Sequence, residues 1–254
     1  MMRTHVAVIG LLFALAGLGW WWTVDRMQGM DAGPGTALGT FGWFVGVWVV
    51  MMAAMMLPSV SPTVALYAGL AKRRDPLAPL VFAAGYLVTW AAVGMLAFAV
   101  SDAGRRLLGP ELAWHRGGRV LAGGLLLAAA AFEVTALKDV CLTKCRSPFG
   151  FLVGSWRDGK GGALSMGARH GAWCVGCCWA LMASLFALGV MSILWMAFVA
   201  GLIAAEKLLP WPRTVTYGTA LVLGVLGVLV LVSPDAIPGL TIPGNGGMMG
   251  GMTN

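Results

Sequence analysis

An uninterrupted apolar stretch runs from Phe41 to Leu70, FGWFVGVWVVMMAAMMLPSVSPTVALYAGL, and contains no charged residue. As one α-helix this stretch would be about 45 Å long at 1.5 Å per residue, which exceeds the roughly 30 Å hydrocarbon core of a bilayer. We therefore expect it to cross a membrane and to be kinked or broken at Pro58 and Pro62.

Similar apolar stretches recur along the whole chain. Hydrophobic residues make up 59% of the 254 residues and charged residues 11%, which is more apolar surface than a soluble domain of this length buries. The composition predicts an all-α, polytopic membrane helix bundle with about seven transmembrane helices over residues 1–232, followed by a flexible tail rich in Gly, Pro and Met at residues 233–254. The other expected helices cover Val6–Trp22, Leu77–Val100, Arg119–Leu137, two helices within Gly171–Leu208 divided near Gly189, and Val215–Val232.

The basic residues indicate how such a bundle would be oriented. The net charge is +7, but the basic side chains lie in short connections between apolar stretches and form no nucleic-acid motif. With seven spans, twelve of the 17 Lys and Arg residues fall on one side and five on the other. This asymmetry predicts a multi-pass protein of the inner (cytoplasmic) membrane, with the amino terminus in the cytoplasm and the carboxy terminus outside. The first stretch is interpreted as a retained helix, and a cleaved signal peptide is the alternative.

The clearest candidate for a metal site is the segment Arg169–Trp179, RHGAWCVGCCW, which begins the stretch assigned to the fifth helix. At 100° per residue, His170, Cys174, Cys177 and Cys178 lie on one face of a helix. Thiolate and imidazole are ligands that Cu(I) and Zn(II) select, whereas Mg(II) and Ca(II) prefer oxygen. The alternative is that these cysteines only pack between helices as small apolar side chains.

A second cysteine pair lies in the polar connection from Lys138 to Arg169. Cys141 and Cys145 are one helical turn apart if the fourth helix continues past the bilayer, so they could form an accessory two-thiolate site. The fourth helix also carries Glu133, a carboxylate at membrane depth, which faces either a polar partner or the membrane interface.

The stretch that opens this section carries soft donors as well. Met51 and Met55 stack one turn apart, as do Met52 and Met56, and thioethers are Cu(I) ligands. Methionine also fills gaps in membrane helices without binding metal, so the spacing leaves both interpretations open.

Three motifs together resemble a bacterial family called predicted metal-binding integral membrane proteins. They are MMAAMMLPS at residues 51–59, CLTKCRSP at residues 141–148, and RHG with CVGCCWALM at residues 169–182. The resemblance covers about Trp43 to Trp211. The family is of unknown function, and some members are labelled copper chaperones. The resemblance implies metal binding at the Met and Cys/His motifs.

These observations favour a membrane protein that binds a soft metal, copper before zinc, and transfers it or delivers it to a cuproenzyme, with a metallochaperone or the cuproenzyme as partner. The chain has no phosphate-binding Gly-rich loop with Lys and Ser or Thr, so ATP-driven pumping by this chain alone is not expected. The alternative is an enzyme, either a membrane metallo-oxidase or a thiol-disulfide oxidoreductase that uses Cys174 and Cys177. A third hypothesis is a scaffold for a membrane complex, in which the cysteines are merely packed.

Overall fold

A computed structural model describes residues 2–27, 39–71, 75, 77–108, 117–189, 192–237 and 240. Within these residues the chain forms nine α-helices and no β-strand, which confirms the predicted all-α class. The helices are α1 (Met2–Met27), α2 (Phe41–Ala71), α3 (Ala78–Leu108), α4 (Arg119–Glu133), α5 (Ala136–Arg146), α6 (Pro148–Ser155), α7 (Gly159–Leu188), α8 (Ile193–Leu208) and α9 (Pro212–Val232), and a 3₁₀ turn follows at Pro234–Ala236. Much of the predicted tail, residues 238–239 and 241–254, lies outside the described residues, so its flexibility stays a prediction.

Five of the described helices, α1, α2, α3, α7 and α9, are long and apolar enough to cross a membrane. The helices α4 and α5 meet at an angle of 67°. Only the two helices taken together could form a sixth membrane span, which would be broken at the bend. The 16 residues of α8 reach about 24 Å, short of a roughly 30 Å hydrocarbon core. The fold is therefore compatible with a multi-pass membrane protein, but the predicted number of seven transmembrane helices is not confirmed.

The helix boundaries correct three expectations. The helix α2 continues through Pro58 and Pro62, so the prolines do not break it, and the kink that was the other expectation stays a prediction. The helix α7 begins at Gly159 and not at Gly171, because the weakly polar segment before His170 also becomes helical. The connection expected from Lys138 to Arg169 is mostly helical and contains α5, α6 and the first third of α7. The predicted division near Gly189 is confirmed, since α7 ends at Leu188 and Gly189 adopts a φ of 112°, which favours glycine.

The helices α2 and α7 form the interior of the bundle. More than half of the residues in the apolar window of each are buried, whereas a third or less are buried in α1, α3 and α9. The helix α7 packs against α3, α4, α5, α6 and α8, and α2 packs against α1, α3, α6 and α8. A site on the inner face of α7 is therefore enclosed by protein on several sides.

The packing of α7 against α3 depends on glycine. An added Cβ at Gly85 would lie 2.2 Å from the Leu164 carbonyl oxygen, and one at Gly167 would lie 1.9 Å from the Phe82 carbonyl oxygen. Thr89 of α3 also donates a hydrogen bond of 3.0 Å to the Ala168 carbonyl oxygen of α7. Small residues thus let the two helix backbones touch, as they do at helix contacts in membranes.

A buried hydrogen bond joins α2 to α3, and it provides a test of the packing. Trp48 donates from Nε1 to the Trp90 carbonyl oxygen at 2.9 Å. We expect Trp48→Phe to lower the free energy of unfolding by about 1–3 kcal/mol, through loss of this bond and of packing volume. The control Trp211→Phe changes an exposed indole. Denaturant unfolding of both variants in detergent checks the prediction, and equal stability would contradict it.

Candidate metal centre

Three buried cysteines from two helices come together inside the bundle. The helix α5 provides Cys145, and α7 provides Cys174 and Cys177. Their three Sγ atoms all lie within 4.8 Å of one another. All three thiols are free and buried. Thiol groups at this separation can bind one soft metal ion after deprotonation, so this cysteine cluster is the candidate metal centre.

The bend between α4 and α5 brings Cys145 to the cluster. The helix α4 ends at Glu133, and the hydroxyl of Thr135 caps α5 by accepting from the Lys138 backbone N–H at 3.3 Å. After this bend, the buried face of α5 carries both Cys141 and Cys145 against α7. A straight continuation of α4 would have carried Cys145 past α7 and away from the cluster.

A glycine on α7 permits this close approach of α5. A Cβ at Gly176 would lie 2.8 Å from the Cys141 Sγ atom. Cys141 thus occupies the space that a side chain at position 176 would need, and it is not one of the three mutually close thiols. The structure therefore gives the two cysteines of the predicted accessory pair different surroundings.

The Cys174 sulfur atom is contacted by polar groups from two other helices. The Tyr86 hydroxyl lies 2.9 Å from Sγ, and the Lys207 ammonium donates to Sγ at 3.0 Å. Lys207 also donates to the Ser59 hydroxyl at 3.2 Å. Side chains of α3 and α8 therefore meet Cys174 of α7 at this sulfur, and Lys207 places a positive charge against the atom that would ligate metal as a thiolate.

Cys178 borders the cluster. Its Sγ atom lies 3.3 Å from that of Cys177, whose thiol is also placed to donate to the Cys174 carbonyl oxygen at 3.2 Å. Cys178 is not a member of the group in which every sulfur lies within 4.8 Å of every other. It therefore lies next to the three-thiol group without belonging to it.

His170 lies one helical turn before Cys174 and is buried. Its ring packs against Phe151 at a centroid distance of 5.0 Å and against Phe82 and Tyr86 at 6.1 Å each. Its Nδ1 atom has no hydrogen-bond partner among the described residues. The imidazole therefore has a free nitrogen in an aromatic enclosure, but the structure does not place it in the three-thiol group.

The four predicted methionine ligands are all buried in α2. Met51, Met52, Met55 and Met56 are at most 5% exposed. The Ser59 hydroxyl donates to the Met56 carbonyl oxygen at 2.9 Å and accepts from Lys207, which itself contacts Cys174. The methionine segment is thus joined to the cysteine cluster through one serine and one lysine.

A family model described as PpoB2, copper chaperone, matches residues 45–230. The chain belongs to this copper chaperone family. The matched range includes all five cysteines, His170 and the four methionines, so the residues of the candidate centre lie within the family region. No curated protein and no solved structure matches the chain.

In this copper chaperone family member, sequence reasoning missed several residues around the site. The sequence gave no signal that Tyr86 contacts Cys174 or that Ser59 contacts Lys207, because these residues come from different helices. Cys145 was predicted as part of a separate pair, whereas the structure joins it to the main cluster. A charged residue within a mostly apolar stretch was the available signal for Lys207, since such residues usually have a polar partner.

Proposed function

We propose that this protein is an integral membrane copper-binding protein that holds Cu(I) at Cys145, Cys174 and Cys177. The observation that carries the proposal is the approach of three buried thiols from two helices to within 4.8 Å of one another. Membership of the copper chaperone family supports copper as the metal. Copper is here the cargo of the protein, which is transferred onward or delivered to a cuproenzyme.

The donor set supports a soft metal more than a hard one. Three sulfur atoms without a nearby carboxylate in the group suit Cu(I), while structural Zn(II) sites almost always have four ligands. Zn(II) would need Cys178 or His170 as a fourth ligand. Elemental analysis of protein purified from membranes, together with the sulfur-to-metal distance from X-ray absorption, distinguishes the two metals.

In this proposal the remaining predicted ligands form a path along which copper moves. His170 and Cys178 border the three-thiol centre, and the buried methionines of α2 are further soft donors. Five long apolar helices support a location in a membrane, and the Lys and Arg asymmetry supports an amino terminus in the cytoplasm. In this orientation the protein would receive copper from a metallochaperone and pass it to an extracytoplasmic cuproenzyme.

A redox role for the thiols is the second candidate function. The Sγ atoms of Cys174 and Cys177 lie within 4.8 Å of each other and the two residues have Cys-x-x-Cys spacing, which favours a redox role. A thiol-disulfide oxidoreductase would show a disulfide that forms and is reduced in each cycle. Mass spectrometry of alkylated protein before and after oxidant treatment tests for that disulfide.

Cys145→Ser tests the copper proposal most sharply, because Cys145 reaches the cluster only through the fold. We expect this variant to bind Cu(I) at least about 100-fold more weakly than the wild type, since loss of a direct ligand costs more than the 10–100-fold typical of outer-shell partners. The measurement is competition with a colorimetric Cu(I) chelator, using purified protein in detergent under anaerobic conditions.

The matched control is Cys141→Ser. Cys141 lies on the same helix and is also buried, but it is outside the three-thiol group. We expect its Cu(I) affinity to stay within about 10-fold of the wild type. Equal losses in both variants, or unchanged affinity and stoichiometry in Cys145→Ser, would contradict the proposed centre.

A further inference from the structure

A second buried polar group lies beside the cysteine cluster and has no part in binding the metal. The Lys138 ammonium lies 2.9 Å from Oε1 and 2.7 Å from Oε2 of Glu133, and 2.8 Å from Oε2 of Glu206. The three side chains come from α5, α4 and α8, and each is at most 1% exposed. We call this group the carboxylate-lysine triad.

The triad has one cation for two carboxyl groups. Arg146 of α5 also reaches Glu206, but it donates to the backbone carbonyl oxygen and not to the carboxylate. The helix α7 contributes Cys178, whose thiol acts electrostatically on Lys138. Lys207 follows Glu206 on α8 but donates to Cys174 and Ser59. The helices α9 and α2 also pack against helices of the triad. The titratable residues of α9 are Arg213 and Tyr217, which are both exposed, and the titratable residue of α2 is Tyr67.

With both carboxyl groups ionised, the triad would carry an uncompensated negative charge in the interior. Removing a charge from water costs several kcal/mol even after relaxation, and two carboxylates that share a site do not both ionise readily. One added proton makes the triad neutral without any other change. Buried ionisable groups in membrane proteins often bind or relay protons.

The hydrogen bonding points to the same conclusion. Oε1 of Glu206 accepts no hydrogen bond from the described residues. Oε2 of Glu133 forms an ion pair with the Lys138 ammonium at 2.7 Å. Both carboxyl groups contact this same ammonium at 2.7–2.9 Å, so they lie side by side. A shared proton would therefore supply the missing donor.

Two of the three triad residues lie on helices that also provide or contact residues of the candidate metal centre. Lys138 shares the buried face of α5 with Cys145. Glu206 precedes Lys207, whose ammonium lies 3.0 Å from the Cys174 sulfur atom. A change of charge or position at the cluster therefore reaches the triad through α5 and through α8.

We propose that the carboxylate-lysine triad is a proton-binding site that holds one proton between Glu133 and Glu206, and that metal binding at the cysteine cluster changes its occupancy. The coupling rests on the proposed function, whereas the proton site itself does not. The step is simple proton exchange, in which one carboxylate and a proton form one carboxylic acid that hydrogen-bonds to the other carboxylate. Such a site would couple metal movement to proton movement without ATP.

Infrared spectroscopy of the full-length protein in lipid tests the proposal. At neutral pH we expect the carbonyl stretch of a buried carboxylic acid in the metal-free wild type. The band should be lost in Glu206→Gln and also in the second variant, Glu133→Gln. The control Asp139→Asn changes an exposed carboxylate of α5 and should keep the band. Adding Cu(I) should change the intensity or frequency of the band, with bound metal measured in the same film.

The outcomes separate the two proposals. A missing acid band in the metal-free protein, or one that survives both glutamine variants, would overturn the proton site. A band that stays unchanged while one Cu(I) binds would overturn the coupling. If no Cu(I) binds, the proposed function and the coupling both fail, and the acid band of the metal-free protein still decides whether the triad holds a proton.

Discussion

Lys138→Met is expected to lower the free energy of unfolding by about 3–5 kcal/mol, the largest loss that we predict for a single side chain. Lys138 is fully buried and lies within 2.9 Å of carboxylate oxygens from two other helices. Without its ammonium, Glu133 and Glu206 face each other without a cation, and one shared proton no longer makes the group neutral. The measurement is denaturant unfolding in detergent micelles, followed by tryptophan fluorescence.

Two matched variants show whether the loss comes from the buried charge. Lys144→Met removes an exposed lysine from the same helix and should change stability by less than about 0.5 kcal/mol. Combining Lys138→Met with Glu133→Gln and Glu206→Gln removes all three ionisable groups and should recover most of the lost stability. If Lys138→Met and Lys144→Met unfold alike, the triad does not support the fold.

Gly167→Ala is expected to cost about 3 kcal/mol of stability and to weaken Cu(I) binding. The added Cβ would lie 1.9 Å from the Phe82 carbonyl oxygen, which belongs to the backbone of α3 and cannot move away by a change of rotamer. Overpacking of this kind costs typically 1–3 kcal/mol. Because α7 must shift away from α3, the contact between Tyr86 and Cys174 would also lengthen.

The control for this prediction is Gly161→Ala on the same helix. A Cβ at Gly161 meets nothing within 4 Å, so the substitution should be neutral or stabilise the helix by up to about 1 kcal/mol. Thermal unfolding and Cu(I) competition on the two variants give both readouts. Equal stability of the two alanine variants would show that α3 and α7 are not in backbone contact.

The positions of the helices could be predicted well because that information is local. The stretch beginning at Phe41 is apolar over more than a bilayer thickness, and it forms a helix beginning at that residue. Gly189 interrupts a long apolar segment, and the chain turns there with a positive φ. The start of α7 was predicted wrongly, because the polar residues around Lys160 and Arg169 were interpreted as a connection between helices. Polar residues indicate a surface that can face water, and they do not by themselves end a helix.

The candidate site was predicted only in part. The spacing of Cys174 and Cys177 places both on one helix face, and this follows from 3.6 residues per turn alone. Cys145 was assigned to a different site, because its position depends on the 67° angle between α4 and α5. No periodicity in the sequence encodes that angle.

The sequence by itself determined an all-α chain of long apolar helices, with soft ligands concentrated on α2, α5 and α7. Only the tertiary structure decided which of these sulfur-containing side chains meet. It joined Cys145 to Cys174 and Cys177, left Cys141 against Gly176, and gave Lys138 two carboxyl partners from other helices. The physical reason is that a helix's own periodicity fixes which residues share its face, whereas contact between faces depends on bends and close approaches set by distant residues.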